Sequence, residues 1–174
     1  IIGGLDSATS GEIFFEGEEI TSYSEEKMAK LRLHDIGFIF QAYNLIHVLT
    51  VRENIGFIMK LLKFNEKEID ARVIELASIL QIEDLLDKLP GEISGGQQQR
   101  VAVARAVASR PKLILADEPT ANLDSKNSAR LMNMLRALNE KENVTVIFAS
   151  HDKYVLEQSK RIVVLDDGVV IEDR

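Results

Sequence analysis

Several short stretches of this sequence place groups suited to phosphate chemistry where backbone geometry would present them together. Leu113-Ile114-Leu115-Ala116-Asp117-Glu118 is an apolar run that ends in two acids. As a strand, it puts both acids at the carboxyl edge of a sheet, where α/β folds bind ligands. One carboxylate there can hold a hydrated magnesium ion beside phosphates, and the next can orient and deprotonate an attacking water. Acids ahead of a proline such as Pro119 also simply close strands, so this run alone leaves both readings open.

Ser94-Gly95-Gly96-Gln97 is more specific. Ser94 and Gln97 have the spacing of a capping box. The glycines between them bare the amides of a helix's first turn, which suits an anion such as a γ-phosphate. Each glycine forfeits about 1 kcal/mol of helix propensity relative to alanine, which an ordinary helix start has no reason to give up. His151 lies between Ser150 and Asp152, just beyond the apolar run Val144–Ala149. It could reach a phosphate or the attacking water if its second ring nitrogen were held, although a histidine there is commonly structural or merely exposed. Gln41 ends the run Ile36–Phe40 and could serve as a neutral ligand to magnesium or water. His34 and His47 have no evident partner and read as surface or packing residues.

The elements that must position these groups follow from punctuation and period. Ile1–Ile2 before Gly3-Gly4 reads as a helix end with its glycine stop. Gly11–Phe15 and Glu18–Ile20 read as short strands around Gly17. Ser24–Leu33 has helical spacing, with Met28, Leu31 and Ala29 on one side, and Ile36–Phe40 reads as a buried strand. From Thr50 to Leu89 the pattern is helical, opened by capping boxes at Thr50/Glu53 and Asn65/Glu68. A further helix runs from Ser94 to just before Pro111. Leu113–Ala116 and Val144–Ala149 have the continuous apolar character of strands buried on both faces. Between them Ser125–Asn139 is helical, with Leu131, Met134, Leu135 and Leu138 inward. Asp166-Asp167-Gly168 signals a closing hairpin. The second half alternates strand and helix, which predicts an α/β fold with a parallel core sheet.

The bulk properties narrow the function class. A chain of 174 residues with 45% hydrophobic and 28% charged residues is sized and composed to fold around one core. Its net charge of −7, from 28 acidic and 21 basic residues, argues against nucleic acid as a partner. The absence of cysteine excludes a disulfide framework. No apolar run approaches the roughly 20 residues that span a bilayer, which argues against direct membrane insertion.

The order of the motifs is the decisive feature. Gln41 precedes a helical block, then Ile93-Ser94-Gly95-Gly96-Gln97-Gln98-Gln99-Arg100, Leu115-Ala116-Asp117-Glu118-Pro119-Thr120, Ala121-Asn122-Leu123-Asp124 and Ser150-His151-Asp152. This order resembles the ABC ATPase family from end to end. The wording Phe40–Ile46 and Leu49–Asn54 is most similar to the branch serving lipoprotein release and macrolide export. Ile93 stands where the family usually has leucine, a volume-conserving exchange.

The resemblance implies a P-loop NTPase-like, mostly parallel core sheet flanked by helices, with a helical subdomain inserted. Residues 1–45 would be partial ATPase core with the start of an antiparallel β region. Residues 46–110 would be the helical signature subdomain, and 111–174 the core carrying the acids and the switch histidine. It implies ATP and Mg2+ as ligands. Glu118 and His151 would be catalytic, Asp117 and Gln41 would serve the metal, and Ser94, Gly95, Gly96, Gln97 and Asp124 would serve the nucleotide and the dimer. The partners implied are a second ATPase subunit, in a homodimer, and a transmembrane permease that holds the subunit at the inner face of the cell membrane.

None of the 10 glycines is followed by Lys and then Ser or Thr, so the family's phosphate loop is not within these residues. The expectation is a chain truncated at its front, lacking the first part of the core and nearly inactive alone. Rival readings are weaker. A chromosome or repair ATPase would carry a long coiled coil between Gln41 and Ser94, and a translation-factor relative would carry a second such domain and more positive charge. A non-catalytic remnant used for dimerisation or docking is the alternative from a different class, opposed by the intact Glu118 and His151.

Overall fold

A computed structural model describes residues 1–174. Its elements begin with a small hairpin, β1 (Phe14–Phe15) and β2 (Glu18–Glu19), turned through Glu16 and Gly17 at positive φ. Helix α1 (Glu25–Asp35) follows, capped by Ser24, and leads into β3 (Ile36–Ile39). Only Met28 of α1 is buried, whereas Ala29 is exposed and Leu31 half-buried, because the helix covers the sheet with a narrow stripe. Residues 1–6 form turns rather than the tail of a helix, with the Gly4 N–H donating to the Ile1 carbonyl at 2.8 Å.

The helical block is α2 (Val51–Leu61), α3 (Glu66–Leu80), a short 3-10 turn at Glu83–Leu85 and another at Pro90–Glu92. The capping boxes at Thr50/Glu53 and Asn65/Glu68 both form, each satisfying otherwise orphaned amides at its helix start. Helix α4 (Gly95–Val107) leaves this block and buries Val101, Ala102, Val103 and Ala104. Strand β4 (Leu113–Asp117), helix α5 (Ser125–Glu142), strand β5 (Thr145–Ala149) and the short α6 (Lys153–Gln158) complete the alternation. The hairpin β6 (Val163–Asp166) and β7 (Val169–Asp173) closes through Asp167 and Gly168, both at positive φ.

The core sheet is parallel and ordered β3-β4-β5. Its register sets Ile39 beside Ala116 and Asp117 beside Ala149, so all three strands end along one edge. A cluster of 29 buried apolar residues runs without a break from the helical block to the sheet and α5. At about 25 cal/mol per Å² of apolar area removed from water, such a cluster supplies the main force holding the strand ends in place.

Two buried-face expectations need correction. Strand β5 is exposed at Thr145, Ile147 and Ala149 and half-buried at Val146 and Phe148. Its exposed and half-buried residues alternate, so only one face of its continuous apolar run is covered. In α5 the inward side includes Met132, while Met134 is only half-buried, because the burial stripe drifts around the helix.

Candidate active site

The sheet edge gathers the residues singled out for chemistry. Glu118 follows the last residue of β4 and sits at φ 43°, a left-handed conformation that turns the chain sharply out of the sheet. Its N–H donates to the Ala149 carbonyl at 2.9 Å, which extends the β4–β5 register by one bond. The turn aims the side chain across to the end of β5. There Glu118 Oε1 lies 2.6 Å from His151 Nδ1, and the Ser150 hydroxyl donates to Glu118 Oε2 at 3.1 Å. A carboxylate only accepts, so this contact places the imidazole proton on Nδ1 and leaves Nε2 facing outward. The His151 side chain is 89% exposed and that of Glu118 22%, so the pair stands at an open rim.

Asp117 closes β4 beside Ala149 and is exposed at the same edge. Behind the pair, the buried Thr120 donates its hydroxyl to Asp152 Oδ2 at 3.1 Å, and Asp152 Oδ1 caps α6 by accepting from Tyr154 N–H. This contact pins the loop that follows Glu118 to the loop that carries His151.

Gln41 leaves β3 at that edge, exposed, and its carbonyl accepts from Asn122 Nδ2 at 3.1 Å. The loop beyond it is held from two sides. Arg105 of α4 donates to the carbonyls of Tyr43 and Asn44, at 3.0 and 2.6 Å. Both carbonyls belong to residues at positive φ. Burial pulls the Arg105 pKa below the ordinary arginine value. Asn54, fully buried in α2, accepts from Ile46 N–H and donates to the carbonyls of Ile46, Leu49 and Thr50. Neither residue stood out as functional from spacing, because each acts through backbone carbonyls remote in sequence.

The start of α4 is exposed at Ser94 and half-buried at Gly95 and Gly96. Ser94 accepts from the Gln97 N–H at 3.4 Å, and Gln97 Oε1 accepts from the Ser94 N–H at 2.8 Å. A Cβ on Gly95 would lie 3.0 Å from the Tyr43 hydroxyl, and one on Gly96 would lie 3.5 Å from Leu123. The helix tip therefore sits beside the Gln41 and Ala121–Asp124 loops and not against Glu118. Asp124 is exposed and caps α5, accepting from Asn127 N–H at 2.8 Å. One copy of the chain thus brings Asp117, Glu118 and His151 together, while the tip of α4 and Asp124 form a second, outward-facing group.

No group of three or more His, Cys, Asp or Glu side chains is arranged to hold a metal ion. The exposed Asp117 carboxylate at the sheet edge fits Mg2+, which keeps several waters and takes one or two carboxylates plus substrate phosphates. No helix is long and apolar enough to cross a membrane.

The sequence model described as ABC transporter matches residues 1–121. An uncharacterized ABC transporter ATP-binding protein of Bacillus subtilis, YvcR, is 44% identical over 97% of this chain and 65% of its own length. The lipoprotein-releasing system ATP-binding protein LolD 1 of Chlorobium chlorochromatii is 38% identical over 100% of this chain and 71% of its own length. Among solved structures, a dimeric ATP-binding cassette in a post-hydrolysis state, bound to ADP and Pi, superposes with a TM-score of 0.90 at 38% identity. That match covers 99% of this chain and 76% of the cassette.

Proposed function

The chain belongs to the ABC transporter ATP-binding family, and from that premise we propose that it is the greater part of a subunit that hydrolyses ATP to drive a membrane permease. The observation that carries the reading is the convergence of Glu118, His151 and Asp117 at one sheet edge. In this reading Glu118 takes a proton from the attacking water, while His151 accepts from that water at its outer nitrogen or, with its proton moved to that nitrogen, donates to the γ-phosphate. Asp117 and Gln41 would serve the magnesium ion, Asp117 as its carboxylate and Gln41 as a neutral ligand. When bound, magnesium neutralises phosphate charge.

The second group completes the site in trans. The bared start of α4 has no lysine beside it, which makes it a good second jaw and a poor sole binding site. Ser94, Gly95, Gly96 and Gln97 of one copy close on the nucleotide of the other, and Asp124 couples the two sites. Both groups face solvent in a single copy, as a head-to-tail pair requires. Residues 46–110 form the helical part and 1–45 with 111–174 the core. The permease docks near Gln41–Leu49 and α2, and through it the subunit lies at the cytoplasmic face of the membrane.

The test compares the subunit at the full length of its relatives with the 174-residue chain. The full-length form binds and hydrolyses ATP, and the shorter chain turns over negligibly because it contains no Lys-Ser or Lys-Thr phosphate loop. In the full-length form Glu118→Gln lowers the rate by about 10²–10⁴, the worth of a general base, and leaves ATP binding intact. Hydrolysis at the unaltered rate in that variant removes Glu118 from the role.

A further inference from the structure

The Ser150 hydroxyl has a direction imposed on it. The Asp152 backbone N–H donates to Ser150 Oγ at 3.2 Å. An amide can only donate, so Oγ accepts there and its own proton is left for another partner. That partner is Glu118 Oε2, at 3.1 Å, while Oε1 meets His151 Nδ1 at 2.6 Å. The carboxylate is gripped at both ends by consecutive residues of one strand terminus.

The two grips differ in kind. His151 is almost fully exposed and can turn toward a phosphate when nucleotide arrives. Ser150 is half-buried, and its oxygen is tied to the backbone of a loop that Thr120 in turn pins through Asp152. Glu118 itself leaves β4 at positive φ, and its long, half-buried side chain must cross to the end of β5. Once His151 lets go, only the serine hydroxyl still fixes the plane of the carboxylate.

We infer that Ser150 is a positioning residue for hydrolysis, its hydroxyl holding the Glu118 carboxylate in the orientation that meets the attacking water. The inference rests on the reading of Glu118 as the base. A displacement of about 1 Å in such a group costs up to about 100-fold in rate, so a single directed hydrogen bond is enough to matter. The competing account is that Ser150 only ends β5 and starts the turn, in which case shape and not the hydroxyl would count.

The experiment exploits a shape-matched pair in the full-length subunit. Ser150→Thr keeps the hydroxyl, and Ser150→Val has the same outline without it. The valine variant should show kcat about tenfold below the threonine variant, the worth of one hydrogen bond to a charged group. KM for ATP and ATP-driven dimerisation should be the same in both. A readout independent of turnover is hydrogen exchange at the Asp152 amide, which should be faster in the valine variant because its acceptor is gone. Equal kcat in the two variants overturns the inference, as do equal losses in both or equal Asp152 exchange. Where valine does not fold, Ser150→Ala against Ser150→Thr makes the same comparison. Glu118→Gln separates the two levels. If it hydrolyses ATP at the unaltered rate, the reading of Glu118 is what fails. If it is inactive while valine matches threonine, only the role of Ser150 falls.

Discussion

Arg72 of α3 grips Glu142 at the end of α5 with two parallel bonds, Nη1 to Oε1 and Nη2 to Oε2, each 2.7 Å. The same guanidinium donates to the carbonyls of Val107 and Ala108, where α4 ends. One side chain thus ties the helical block, the helix that starts at Ser94 and the helix that follows Asp124. Burial alone would lower the Arg72 pKa, but the hydrogen bonds to Glu142 and Glu75 outweigh it and raise it above the ordinary value. The arginine is 4% exposed and Glu142 11%, so neither charge has water to fall back on.

Breaking that pair from one side leaves the buried Arg72 with Glu75 as its remaining counter-charge, so the cost falls at the low end of the about 3–5 kcal/mol of a broken buried pair. Glu142→Gln should therefore lower the stability of the full-length subunit by about 3 kcal/mol in urea denaturation. A loss below about 1 kcal/mol would mean that water reaches the site and the pair is ornamental to the fold.

Glu75 titrates as part of the same network. The hydrogen bond from Lys141 at 2.7 Å, followed by that from Arg72 at 3.0 Å, holds its carboxyl well below the ordinary 4.5, at about 2. A depressed folded-state value means that the stabilisation is fully present above about pH 4.5 and is lost as pH falls toward 2. The side chain is 34% exposed, so solvent screening reduces the contribution to about 1 kcal/mol. Glu75→Gln should be less stable than the unaltered subunit at neutral pH, and the gap should close between pH 4.5 and 2. Urea midpoints across that range check it, and a gap independent of pH would remove the charge from the account.

Ser94→Ala separates a local effect from a dimer effect. The cap accepts from Gln97 N–H at a long 3.4 Å, so its loss should cost only about 0.5–1 kcal/mol of helix stability. The effect on pairing should be larger. In a Glu118→Gln background, which on the proposed role of Glu118 keeps ATP unhydrolysed, the dimer fraction on sizing should fall while nucleotide affinity of the monomer holds. An unchanged dimer fraction would put Ser94 outside the composite site.

Much of this arrangement is legible in the sequence because it is local. The capping boxes at Thr50, Asn65 and Ser94, the strand running into Asp117 and the hairpin at Asp167-Gly168 each involve residues a few positions apart, and all are present. The supports of the site are not local. Arg105 reaches Asn44 and Tyr43 across 61 and 62 positions, and Ser150 reaches Glu118 across 32. The Ser150 contact is fixed by the register that sets Asp117 beside Ala149 and the Arg105 contacts by the packing of α4 on β3, neither of which periodicity encodes. The open face of β5 is illegible for a related reason: an apolar run reports what a strand is made of, not what packs on each of its faces.

Gly37 shows how closely the sheet and α4 depend on one another. The glycine lies in mid-β3, where a residue without a side chain ordinarily weakens a strand. A Cβ built there would stand 2.3 Å from the Ala106 carbonyl oxygen. That oxygen belongs to backbone near the end of α4, so no rotamer change can relieve the clash. Gly37→Ala must push α4 off β3, which overpacking data put at about 1–3 kcal/mol. The displacement reaches the site, because β3 delivers Gln41 and the neighbouring Arg105 clamps the loop just beyond it. The variant should lose about 2 kcal/mol of stability and a measurable part of its ATP turnover. Gly91→Ala is the control, since nothing lies within 4 Å of its added carbon. It should stay within about 0.5 kcal/mol of the unaltered subunit. Urea denaturation and steady-state hydrolysis on the two variants test this together, and equal stability in both would show that α4 does not bear on β3 as closely as the geometry requires.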